Sequence, residues 1–187
     1  MLATARLGPD LLDRCVAGDP HAWRELHAAY RPVALAFLRR LGVGAREAED
    51  ACQEIFVQIF RYLPRFERRA EFRTWIYKLC ISQATRARRR SLLAAPFGWV
   101  RKVLADPVVW PEFSAARAEE LVDAALARLS RRQREIFVLF EFEEMATADI
   151  ARLLGSPSAT VRRQLQEARH RFEDLVRDQP MTDQEPL

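Results

Sequence analysis

Three groups of side chains in this 187-residue sequence have the types and spacing to bind something. Asp50, Gln53 and Glu54 fall one helical turn apart, with Phe56 and Phe60 close by. A face of acid, amide and aromatic suits docking onto a basic helical partner, though taken alone it reads equally as solvated helix surface. A second group runs from residue 61 to 90, where Arg65, Phe66, Arg68, Arg69, Arg73, Lys78, Arg88 and Arg89 interleave with Tyr62, Phe72, Trp75 and Tyr77. Cations hold phosphates and aromatic faces accept unstacked bases, so this pattern fits single-stranded or melting DNA. Trp75 is better read as core of an amphipathic helix, together with Ile76, Leu79 and Cys80.

The third group lies from 147 to 172. Ala151 and Gly155 stand where two short helices would cross and turn, a helix-turn-helix pattern. Gly155 can take the left-handed conformation such a turn demands. Ile150, Leu154, Val161 and Leu165 would pack inside, leaving Ser158, Thr160, Arg162, Arg163, Gln164, Gln166 and Arg169 to face a duplex. Arg reads guanine bidentately, Gln reads adenine, and Ser or Thr holds phosphate. A plain helical hairpin is the blander alternative.

The elements that must position these groups are helices throughout. Glycine is scarce, at 6, and helix formers dominate, so an all-α fold of two small helical domains is expected. A short helix over 10–16 is closed near Gly18. Asp19-Pro20 then caps a second helix that ends at Gly42. A third runs over 45–62 to Pro64, and a fourth over 72–90. Residues 91–114 carry Pro96, Pro107 and Pro111 but also Trp99, Trp110 and many aliphatics, too apolar for a free linker. Helices resume at 115. Ser130 and Gln133 form a capping box opening a helix that carries Ile136, Phe137, Leu139, Phe140 and Phe142. Thr147 is expected to cap the next, over 148–154, and the last reaches about residue 176. The domains are thus 10–90 and 115–177, joined by 91–114, with a frayed tail at 178–187.

Composition narrows the function classes. The net charge of +4 conceals a strong asymmetry: residues 61–102 hold 12 Lys/Arg against 2 Asp/Glu, whereas 103–187 hold 11 against 16. A basic block of that kind draws polyanions. Cys15, Cys52 and Cys80 stand singly, as reduced buried thiols do in a cytoplasm, and suggest neither disulfides nor a metal site. No apolar run approaches the ~18 residues of a membrane span, so no membrane insertion and a cytoplasmic location are expected. The isolated His21, His27 and His170, and the lack of a Gly-rich phosphate loop, point away from an enzyme. No cofactor and no metal are expected.

The motifs Asp50-x-x-Gln53-Glu54-x-Phe56, Leu63-Pro64-Arg65-Phe66, Phe72-Arg73-Thr74-Trp75-Ile76, and Ile150-Ala151-x-x-Leu154-Gly155 through Thr160-Val161 together resemble the extracytoplasmic-function group of bacterial RNA polymerase sigma factors. The resemblance spans roughly 22–90 and 121–175. It implies a promoter-specificity subunit that directs core enzyme to promoters and nucleates melting. Asp50, Gln53, Glu54 and Phe56 would bind the β′ coiled coil of core, which also offers its β subunit. The loop 65–71 would hold a flipped promoter base, with the fourth helix following the non-template strand. The helix after Pro157 would read the upstream promoter element. An anti-sigma factor is a further expected partner. The sequence departs from the family's habit at Ser82 and Arg86, where Asn and Asp are usual, and at Arg162-Arg163-Gln164 and Glu167, where Lys-Ser-Arg and a later Arg are usual. The rival reading is a dimeric helix-turn-helix regulator acting without polymerase, which leaves the Asp50 motif and the basic segment unexplained.

Overall fold

The computed structural model describes residues 10–68, 71–94 and 115–177, so Arg69, the apolar linker beyond residue 94 and the tail lie outside the described residues. The chain divides into two compact units, Met1–Ala105 and Asp106–Leu187. Among the described residues every regular element is helical.

In the first unit α1 spans Leu11–Val16, α2 Pro20–Arg40, α3 Ala45–Tyr62 and α4 Phe72–Ala94, with a 3-10 turn at Leu63–Arg65. Asp19 opens α2: its Oδ1 accepts from the His21 amide at 2.8 Å and its Oδ2 from Arg14 at 2.9 Å. The Arg14 bond, then the His21 amide, hold the Asp19 carboxyl below the usual carboxylate range. A Schellman turn closes α2, with Val43 N–H bonded to Leu38 O at 3.1 Å and Gly42 N–H to Arg39 O at 2.7 Å. Gly42 sits at φ +83°, which only glycine adopts at little cost. Helices α2, α3 and α4 pack together around Leu26, Phe37, Leu38, Ile55, Ile59 and Ile76, and α1 covers α2 through Leu11 and Cys15.

Two features depart from the sequence expectation. The fourth helix continues past residue 90 to Ala94. Tyr77, counted among the base-stacking aromatics, is in the core against Phe37 at 4.7 Å, whereas Trp75 and Leu79, expected inside, are half-buried. The reason is angular. The inward stripe of α4 runs through Phe72, Ile76, Cys80, Gln83 and Ala87, and Tyr77 lies beside it on the side facing α2.

In the second unit α5 spans Ala115–Arg128, α6 Arg131–Phe137, α7 Thr147–Leu154 and α8 Ser158–Arg177. The capping box forms as expected, Gln133 N–H to Ser130 Oγ at 3.3 Å and Ser130 N–H to Gln133 Oε1 at 3.2 Å. The helix it opens does not stay α-helical: Val138–Phe142 widen into a π turn, closed by Glu143 N–H to Val138 O at 3.2 Å. That turn also moves the start of α7. Met145 N–H is held by Leu139 O at 3.0 Å, so the extended residue before the helix is Ala146, and Thr147 is the first helical residue rather than the cap. Helix α8 packs against α5, α6 and α7 through Val161, Leu165 and Ala168.

Candidate partner and nucleic-acid interfaces

The buried stripe of α3 (Ala48, Ala51, Cys52, Ile55, Ile59) turns the opposite face outward. Asp50, Gln53 and Glu54 are all exposed on it, and Gln58 Nε2 donates to Glu54 Oε1 at 3.4 Å. Glu49 is engaged by Arg31 at 2.6 Å. Phe56 is half-buried against the His27 ring, centroids 4.5 Å apart. The exposed face does not stop there. Val57 and Phe60 continue it at helical spacing, 50% and 64% exposed, and Phe60 leans on Trp23 at 4.9 Å. The face is therefore acidic at its start and apolar toward its end. Phe60 was expected near this face, whereas sequence reading missed Val57, although its spacing of seven from Asp50 was the available signal.

The second candidate group surrounds the turn after α3. Phe66 stacks on Trp75, with centroids 5.0 Å apart and planes 17° apart, and meets Phe72 edge-on at 5.8 Å. Tyr30 supports Phe72 at 5.1 Å, and burial pushes its phenol up from the ordinary value. This aromatic cluster seats the turn on α4. Its cations differ in their commitments. Arg65, Lys78 and Arg89 are exposed. Arg68, at φ +55°, is ion-paired with Asp13 of α1. Arg73 donates to the Tyr77 hydroxyl. Arg88 is half-buried and donates to the carbonyl of Leu41, closing the carboxyl end of α2. The structure thus spreads these residues over α4 and the turn before it and points their charges to different tasks.

In the second unit Gly155 takes the left-handed conformation (φ +59°, ψ +39°), with Ser156 N–H bonded to Ala151 O at 3.0 Å. Ala151 is buried, as a close crossing requires. Of the candidate readers on α8, Ser158, Arg162, Arg163, Gln166 and Arg169 are exposed, while Thr160 and Gln164 are half-buried. Arg169 is not a bare cation: it pairs with Glu141 at 2.5 Å and lies over the Phe140 ring at 4.8 Å. Arg163 pairs with Glu167 at 2.6 Å. Arg134 is buried and donates to Leu126 O at 2.5 Å, closing the end of α5.

Among the described residues no group of three or more His, Cys, Asp or Glu could hold a metal ion, and no helix is long and apolar enough to cross a membrane. The sigma-70 region 2 family model matches residues 26–92, and the sigma-70 region 4 model matches residues 119–172. The RNA polymerase sigma-H factor of Pseudomonas aeruginosa is 29% identical over 187 residues, covering 94% of this chain and 96% of its own. The ECF RNA polymerase sigma factor SigW of Bacillus subtilis is 23% identical, covering 86% and 92%. Among solved structures, CnrH in complex with the cytosolic domain of CnrY matches with a TM-score of 0.67 at 24% identity, covering 91% of this chain and 97% of that one. The sigma factor RpoE in complex with the anti-sigma factor NepR from Bartonella quintana also gives 0.67, at 19% identity over 84% and 98%. These two share the fold.

Proposed function

Because this chain belongs to the sigma-70 family of RNA polymerase sigma factors, in its extracytoplasmic-function group, we propose that its first unit grips core polymerase and melting promoter DNA while its second reads duplex DNA upstream. It is a sigma factor of transcription initiation, with core polymerase and promoter DNA as its partners. The observation that carries the division of labour is the order of the two family matches, region 2 at 26–92 and region 4 at 119–172, on one chain. We assign the working domains to 10–90 and 115–177, with 91–114 as the tether.

Asp50, Gln53, Glu54 and Phe56, extended by Val57 and Phe60, form the docking face for the β′ coiled coil. Carboxylates steer a basic helix and the apolar end supplies area. Arg65, Phe66, Arg68, Arg69, Arg73, Lys78 and Arg89 line the path of the opened strand, while Arg88, a candidate by sequence, is committed to the carboxyl end of α2. A base flipped there costs a few kcal/mol, recovered from stacking and phosphate contacts. Ser158, Thr160, Arg162, Arg163, Gln164, Gln166 and Arg169 lie along the duplex. Sigma factors are generally not enzymes, and this one supplies binding alone, in the cytoplasm, under the control of an anti-sigma partner.

The test is capture on purified bacterial core polymerase followed by run-off transcription. Asp50→Ala with Gln53→Ala removes two exposed side chains and should weaken core binding at least about tenfold, cutting promoter-dependent transcripts in step. A wild-type chain that ignores core but binds duplex DNA tightly as a dimer would overturn the reading in favour of a free-standing regulator.

A further inference from the structure

On α8, where the family usually has a basic residue, this chain places Glu167, and the carboxylate is tied on both oxygens. Its Oε1 accepts from Arg163 Nη1 at 2.6 Å. Its Oε2 accepts from Gln133 Nε2 at 3.1 Å and from Gln164 Nε2 at 3.4 Å. Gln133 is buried and is itself fixed: its Oε1 takes the Ser130 amide and Arg171 Nη1, each at 3.2 Å. A chain of hydrogen bonds therefore runs from the capping box of α6 to two of the candidate reading residues on α8.

The stability of α8 itself accounts for little of this arrangement. An Arg placed four residues before a Glu is the weaker order for such a pair, since the better order sets the acid toward the amino end. What the pair does accomplish is geometric. Arg163 stays 64% exposed while one of its terminal nitrogens is held. On a side chain this exposed, the other edge, Nε and Nη2, has no partner among the described residues and is available as a fork. A guanidinium edge of that kind matches O6 and N7 of guanine, and holding the long side chain beforehand removes rotamer freedom it would otherwise lose on binding.

We propose that Glu167 is a positioning residue for promoter recognition: anchored on Gln133, it holds Arg163 so that the free guanidinium edge meets a guanine in the upstream element, and it sets Gln164 alongside. The proposal rests on the sigma reading, and it assigns Glu167 a part in specificity without contact to DNA.

The experiment uses holoenzyme reconstituted from core polymerase and the full chain, selecting from promoters randomised across the upstream element. Wild type, Arg163→Ala, Glu167→Gln and the double variant are compared. A glutamine at 167 retains one oxygen for Arg163 but turns an NH2 donor toward the donors of Gln133 and Gln164, so the anchor is lost. Wild type should fix a guanine at one position, and Arg163→Ala should abolish that preference. Glu167→Gln should cut it about tenfold at the same position and leave the other positions alone. The double variant should match Arg163→Ala, because the two residues act as one device. If Glu167→Gln melts early, Arg163→Lys serves instead: it keeps the charge, lacks the fork, and should lose the same position. Unchanged selectivity in Glu167→Gln, altered selectivity at positions Arg163→Ala leaves untouched, or tighter binding to every sequence would overturn the proposal while the sigma reading stood. A wild-type holoenzyme with no upstream preference would overturn both.

Discussion

A thiol removed from water is a poor acid, and Cys52 on α3 illustrates it. Burial pushes its pKa from the ordinary 9.0 to about 11, against a smaller opposing pull from Arg31. The unfolded chain releases this proton near the ordinary value and the folded one retains it to about 11. The resulting stabilisation is complete below about 9 and is lost as pH rises through about 11. We therefore expect the melting temperature of wild type to fall more steeply over that window than that of Cys52→Ala, so that the gap between them narrows. Parallel curves in a pH-scanned melt would refute it. All three cysteines are buried, as their single positions inside helical patterns implied. The partners of Arg68, Arg73 and Arg88 were not legible in the same way. Asp13 and Leu41 are 55 and 47 residues away from Arg68 and Arg88, and no local spacing encodes such meetings. The Tyr77 hydroxyl was within reach of Arg73 on one helix, but reading Tyr77 as a surface aromatic hid the bond.

Elements were more legible where a local rule set their ends. Asp19-Pro20, Gly42 and the Ser130–Gln133 box each mark a boundary by hydrogen bonds closed within a few residues, and α2 and α6 begin or end at them. The turn at Gly155 belongs to the same class and permits a sharp test. A Cβ there would meet nothing within 4 Å, so the left-handed backbone is the only obstacle. Gly155→Ala should therefore cost about 1–2 kcal/mol, read as a lower melting temperature for the second unit. A neutral substitution would mean that the turn relaxes away from this geometry. The π turn at Val138–Phe142 was invisible to helical periodicity. Residues five apart are turned about 140° from one another on an ordinary α-helix, yet Phe137 and Phe142 approach to 6.3 Å. The start of α7 was read one residue late, since Ala146 is the extended cap and Thr147 already helical.

At the scale of the whole molecule, the sequence declared its two helical units and its lopsided charge, and the candidate surfaces within each unit follow from that division. Formal charge did not say which cations face out. Arg88 and Arg89 are adjacent and should behave differently. Arg89→Ala should lower the salt slope of binding to opened promoter DNA by about one, uniformly across sequences. Arg88→Ala should instead destabilise the fold by about 1–3 kcal/mol, leaving a carbonyl of Leu41 without its donor. Equal salt slopes together with equal stabilities would contradict this division. Arg134 does for α5 what Arg88 does for α2, closing a carboxyl end with a fixed positive charge. One consequence concerns descent rather than binding. Along a single basic helix, substitution over generations should run at two speeds. Arginines facing outward are free to drift with the promoters they serve, whereas those plugging helix ends are held in place by the fold whatever DNA the lineage comes to read.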